Sequence, residues 1–202
     1  MSSEISMIRE EDRDYFRSRQ SKADAILADI QSNGQADVWC QHISVLEVGA
    51  NSCFIAHRLE SIAEWDIHCL EIDPGRLLRY PGISRSFKSV LADATAIPFA
   101  DGAFDLVICN HTLEHIVRYV DCIAEMIRVT KDGGYIYMAF PNSDRLVNEL
   151  GVKYSVLRGN IAWYFVRLFR AHSVESRVTH HVGLADNQIR KALRPHKVMC
   201  LS

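Results

Sequence analysis

Residues 91–115 read LADATAIPFADGAFDLVICNHTLEH, and the fold is decided there. The centre of this stretch, FDLVICN at 104–110, is a near-continuous apolar run. An alternating strand has one wet face. A continuous run is buried on both, as happens in parallel sheets covered by helices. Four more runs of this kind occur, at 43–49, 67–72, 88–92 and 135–140. After the central run the period changes. Ile116, Val117, Val120, Ile123, Ala124 and Ile127 recur at the spacing of one helical face. Thr112 stands where an N-cap would, and Lys131-Asp132-Gly133-Gly134 where such a helix would stop. Upstream, Ala23, Ile26, Leu27 and Ile30 mark an earlier helix, with Ser21 as its N-cap and Asn33-Gly34 as its stop. Strand–helix–strand repetition predicts an α/β fold: a Rossmann-like, doubly wound, mostly parallel sheet with helices on both faces.

The rest of the chain fits one such domain. It has 202 residues, 48% hydrophobic and 24% charged, the balance of an ordinary globular protein with a full core. No run reaches the ~18 apolar residues that cross a bilayer, and the acidic, polar N-terminus does not read as a secretory signal. Cysteines at 40, 53, 69, 109, 122 and 200 form no C-x-x-C pair, so neither a zinc site nor a disulfide framework is expected. Cys53, Cys69 and Cys109 lie in or beside apolar runs and read as reduced core thiols, which suits a cytoplasmic protein. The net charge of -2 hides an asymmetry. Residues 1–140 carry 13 Lys and Arg against 21 Asp and Glu, while 141–202 carry 10 against 4. The whole chain is not basic, so duplex nucleic acid is not an expected partner.

In doubly wound sheets, ligands bind at the carboxyl ends of the strands. The first run ends Glu47-Val48-Gly49-Ala50-Asn51-Ser52-Cys53. A glycine just after a buried strand lets the backbone turn tightly and approach a ligand. The second run leads into Glu71-Ile72-Asp73-Pro74, which places Asp73 24 residues past Gly49, near the spacing of an acid that holds a ribose diol. Two readings stay open here: a nucleotide-binding pair, or a tight turn followed by a helix cap.

The stretch at 91–115, together with EMIRVTKDGGYIYMAFPN at 125–142, resembles the class I S-adenosylmethionine-dependent methyltransferases, in particular the methyltransferase type 11-like group. The resemblance runs in register over residues 40–142. It implies S-adenosylmethionine as cofactor and S-adenosylhomocysteine as product. Glu47, Gly49, Ala50 and Asn51 would lie under the methionine part, and Asp73 would take the ribose hydroxyls. Asp93 and the Ala94 amide would meet the adenine, and Asn110 would line the floor. His111 would be a general base or an acceptor contact. The similarity further implies one domain over 1–202, with leading helices at 1–39, a cofactor-binding core at 40–142 and an acceptor-side cover at 143–202. The acceptor is expected to be a small molecule, or an amphiphilic or lipid- or glycan-linked one, with peripheral membrane contact left open.

The sequence also departs from that group. Where G-x-G-x-G is usual, this chain has Gly49, Asn51 and Cys53. Asn tolerates positive φ better than most residues and would keep the turn. Two rivals follow: a non-catalytic protein of the same fold, and a nicotinamide-dependent oxidoreductase. The dinucleotide fingerprint G-x-G-x-x-G would need glycines where Asn51 and Phe54 stand. His111 and His115 lie four apart, but no further ligands are placed, so no metal is expected. Residues 160–171 read as an amphipathic cover helix or an acceptor lid, and His180-His181 as a surface pair. Residues 196–201 read as a last strand, one short of the seven that this family's sheet has.

Overall fold

The computed structural model describes residues 10–33, 42–61, 64–77, 87–140 and 186–193. A 3-10 turn at Glu10–Asp12 leads into α1 (Arg13–Asn33), followed by β1 (Ser44–Val48), α2 (Phe54–Glu60) and β2 (Asp66–Glu71). The short α3 (Pro74–Leu77), β3 (Lys88–Leu91) and β4 (Phe104–Asn110) come next. A 3-10 turn at Leu113–His115 precedes α4 (Tyr119–Val129), β5 (Thr130–Ala139) and α5 (Asp186–Leu193).

The five strands form one sheet in the order β3-β2-β1-β4-β5, with every pair parallel. The chain winds outward from β1 through β2 to β3, then returns across the sheet to β4 on the other side of β1. This reversal is the switch point, which opens a crevice beyond the carboxyl ends of β1 and β4.

Burial on two faces explains the apolar runs. Val45, Ile67, Leu106 and Ile108 pack against Ala23, Ile26 and Leu27 of α1 and Ile55 and Leu59 of α2. Leu46, Val48, Leu70, Val107 and Cys109 pack on the other face against Ile123 and Met126 of α4 and Ile189 and Leu193 of α5. Cys53, Cys69, Cys109 and Cys122 are buried free thiols, and burial pushes that of Cys122 up to about 12. Among the described residues no helix is long and apolar enough to cross a membrane, and no cluster of His, Cys, Asp and Glu is placed to hold a metal ion.

Several expectations shift. The first helix begins at Arg13 rather than after Ser21, because Phe16 meets the Phe54 ring edge-on at 4.8 Å and is buried there. Tertiary packing thus recruits two polar turns with little apolar periodicity of their own. Thr112 caps no helix: its hydroxyl donates to Gly49 O at 3.3 Å, and a 3-10 turn follows it. The long helix is therefore confined to Tyr119–Val129. Residues 131–134 are not a loop but the first part of β5, with an irregular register opposite 104–106 and Lys131 paired to Asp105 at 2.9 Å. β3 is an edge strand, with Lys88, Ser89 and Leu91 exposed instead of buried. The expected helix at 160–171, His180-His181, the last strand at 196–201, and Cys40 and Cys200 lie outside the described residues.

Candidate functional site

Beyond the carboxyl ends of β1, β2 and β4 lies a cleft of about 450 Å³. Its first wall is the loop after β1. Gly49, Asn51 and Cys53 all adopt left-handed backbone, with φ of 70°, 53° and 57°. The alternation is that of a glycine-rich turn, held here by two residues with side chains. An L-residue in this region costs about 1–2 kcal/mol, less for Asn, so surrounding bonds must enforce it. They are present. Gly49 and Ala50 both donate to Leu70 O, at 2.8 and 3.0 Å, and Cys53 N donates to Ala50 O at 2.8 Å. Gly49 has a second reason to be glycine: a Cβ there would meet Thr112 Cγ2 at 2.2 Å.

Two buried glutamates brace this loop. Glu47 Oε2 accepts from Ala56 N at 3.1 Å, tying β1 to α2. Burial raises the pKa of Glu47 to about 8, with Glu71 adding to the rise, while the Ala56 bond and Arg19 oppose it. Glu71, the last residue of β2, accepts at Oε2 from Asn51 N at 2.8 Å and at Oε1 from Ile72 N and Asp73 N at 3.0 and 3.2 Å.

The loop after β3 supplies Asp93 and Ala94. Asp93 Oδ1 accepts from the Thr95 amide and hydroxyl at 2.8 and 2.9 Å, which lowers its pKa and keeps it ionised. Arg128 of α4 pins this loop from outside. It donates to Ile97 O, Phe99 O, Asp101 and Glu125, each at 2.8 Å, while Glu125 accepts from Ile97 N.

At the end of β4, Asn110 is buried, and its Nδ2 has no hydrogen-bond partner. His111 follows with φ 50°, its amide donating to Ala139 O at 2.7 Å. Its Nδ1 lies 3.5 Å from Oε1 of the buried Glu114, whose Oε2 has no partner. Burial, then Lys22, then Arg19 lower the His111 pKa against the pull of Glu114. The imidazole is therefore neutral at physiological pH.

Residues 46–138 match the family described as the methyltransferase domain. Over this segment the chain is similar to that family. A demethylmenaquinone methyltransferase of Mycolicibacterium gilvum is 34% identical over 90 residues, covering 45% of this chain and 38% of that protein. The chain spans well under two thirds of the length of the curated relatives it matches first. Among solved structures, the PH0226 protein of Pyrococcus horikoshii has a TM-score of 0.57 at 18% identity, covering 72% of this chain and 65% of that one. The YcgJ protein of Bacillus subtilis has 0.55 at 14%, covering 78% and 62%. These likenesses establish the Rossmann-like fold.

Of the residues expected at the site, Glu47, Gly49, Ala50, Asn51, Asp93, Ala94, Asn110 and His111 all line the cleft. Asp73 does not line it. Asp73 Oδ1 accepts from Gly75 N at 2.8 Å and Oδ2 lies 3.5 Å from Arg76, so the residue caps α3. The acid that reaches the cleft from β2 is Glu71, two residues earlier. Its signal was present in the sequence: it is the one acid inside the apolar run 67–72, near the carboxyl end of the strand where the crevice opens. Tyr15 and Arg19 of α1 also line the cleft, and no motif announced them.

Proposed function

We propose that the chain is an S-adenosylmethionine-dependent methyltransferase acting on a small-molecule acceptor. One observation carries this reading: three adjacent strand ends deliver a left-handed loop, two acids and an unpartnered buried donor to one cleft. The residues fit the cofactor. Glu47 is placed for an ammonium once ionised, with the amides of Gly49–Asn51 beside it. Glu71, in place of Asp73, suits the ribose hydroxyls, and Asp93 with the Ala94 amide suits the adenine edge. Asn110 Nδ2 has hydrogen-bonding capacity that a ligand oxygen would satisfy. When bound, the cofactor supplies an electrophilic methyl group on a sulfonium.

The chain's own part is to align and to exclude water. Holding two reactants in line contributes up to ~7–11 kcal/mol in well-organised cases. A neutral His111 on the cleft wall can take a proton from an acceptor. The demethylmenaquinone relative supports a small-molecule acceptor. The non-catalytic alternative rested in part on replacement of two glycines, and the left-handed backbone at Asn51 and Cys53 weighs against that part. Calorimetric titration with S-adenosylhomocysteine tests the reading. Saturable binding that Asp93→Ala and Asn110→Ala weaken is expected. Absence of binding, or binding of a nicotinamide dinucleotide instead, would refute it.

A further inference from the structure

Arg19 and His111 line one corner of the cleft, and two further titratable groups, Lys22 and Glu114, interact with them from behind that lining. Arg19 and Lys22 sit three apart on α1, on one helical face. His111 and Glu114 follow β4. Glu114 is 4% exposed, buried beside the His111 ring, with Oε1 at 3.5 Å from Nδ1 and Oε2 without a partner. The ring is fixed at its base by a left-handed backbone, which a non-glycine residue holds only when its surroundings impose it. The carboxylate at Nδ1 assigns the ring proton to that nitrogen and leaves Nε2 with its lone pair. The two α1 cations act on His111, and Glu114 acts on Lys22 in turn.

These signs select an acceptor. An alkyl amine is a cation in neutral water, and Arg19 and Lys22 oppose its approach. A hydroxyl that becomes an oxyanion gains from both, in a setting less screened than water. The acids lining the cleft come from the ends of β1 and β2 and from the loop after β3: Glu47, neutral at pH 7, and Glu71 and Asp93, each already accepting backbone N–H bonds.

Resting on the methyl-transfer reading, we propose that this corner deprotonates and holds an acidic hydroxyl, a phenol or an enol. His111 accepts its proton at Nε2, Glu114 positions the ring through Nδ1, and Arg19 stabilises the oxyanion. The O–H bond breaks with its electron pair left on oxygen. The proton passes to Nε2 and then to solvent, which the partly exposed His111 reaches. Glu114 is a positioning residue here, while His111 and Arg19 contact the acceptor.

The test reads the protein first, without cofactor. Carbon-detected NMR titration of His111 should show a lower protonation midpoint in Glu114→Gln, recovery towards wild type in Glu114→Asp, and a higher midpoint in Arg19→Gln. A purely structural Glu114 would leave the midpoint in place. The second measurement uses 4-nitrophenol and 4-nitrocatechol as probes, followed by nitrophenolate absorbance with and without S-adenosylhomocysteine. Wild type should hold them as anions below their free ionisation midpoint, about tenfold more tightly than 4-nitrobenzylamine, and Arg19→Gln should lose that preference. Unmoved His111 midpoints, equal or tighter amine binding, or failure of both nitrophenols to bind as anions would overturn the inference. Failure of S-adenosylhomocysteine alone to bind would overturn the methyl-transfer reading, while the titrations still decide the chemistry of this corner.

Discussion

Glu47 offers the sharpest test, because its charge must change for it to do its proposed work. Alone and buried, its carboxyl titrates at about 8 and is neutral at pH 7. A carboxylate, not the acid, is what meets an ammonium. Binding of S-adenosylmethionine therefore has to release a proton at neutral pH. Below the midpoint each pH unit weakens the apparent affinity by close to tenfold, so from pH 6 to pH 7.5 Kd should fall by about 25-fold. This window lies below the range where a free α-amino group loses its own charge, ~7.7–8. Stability carries the opposite sign. The folded pKa lies above the unfolded value of 4.5, so the folded state holds the extra proton. The stabilising contribution is complete below about pH 4.5 and is lost as pH rises to about 8, at up to ~1.4 kcal/mol per unit. Glu47→Gln freezes the neutral form. It should remove both dependences and weaken binding at pH 8 by about 1.5–3 kcal/mol, the worth of a hydrogen bond to a charged group. Isothermal calorimetry in buffers of different ionisation enthalpy measures the released proton directly. A Kd flat from pH 6 to 7.5 in wild type, with no proton release, would refute the reasoning.

Other outcomes follow from the same geometry. Asn51→Gly should leave S-adenosylhomocysteine affinity intact or improve it, whereas Asn51→Val, β-branched at φ 53°, should disrupt the turn; equal affinities would show that the left-handed geometry is not needed. Asp73→Ala should cost about 1 kcal/mol of stability as a lost helix cap and leave cofactor affinity nearly unchanged, while Glu71→Gln should weaken both, read by thermal denaturation and calorimetry. Arg128→Ala leaves the carbonyls of Ile97 and Phe99 without this donor and should lower stability by about 1–3 kcal/mol while weakening cofactor binding through the Asp93 loop. Gly49→Ala should impair folding, because the added methyl collides with Thr112.

The strands were legible because burial on two faces writes itself as unbroken apolar runs. Residues 104–110 match β4 end for end. The glycine loop was legible through Glu47 and Gly49, and the tolerance of Asn for positive φ was visible in its chemistry. What escaped depends on partners remote in sequence. The start of α1 is decided by Phe16 meeting Phe54, 38 residues away, so no local period marks it. Thr112 looks like a cap until Gly49, 63 residues back, claims its hydroxyl. Two acids lie two residues apart at the end of β2, and Asp73 had the better spacing. Glu71 lines the cleft instead, because the strand ends there and three backbone amides converge on its carboxylate, while Asp73 is left to begin a helix.

The triple acceptance by Glu71 has a practical consequence for anyone who wants an inactive control. The carboxylate is a rivet between two neighbouring loops before it is a contact for any ligand. Replacing it would remove ligand affinity and let the turn at Asn51 relax at once, so loss of function in that variant could not be attributed to either cause. Asp93 and Asn110 are better places to silence the site, since the bonds of Asp93 stay within its own turn and Nδ2 of Asn110 donates to no protein group.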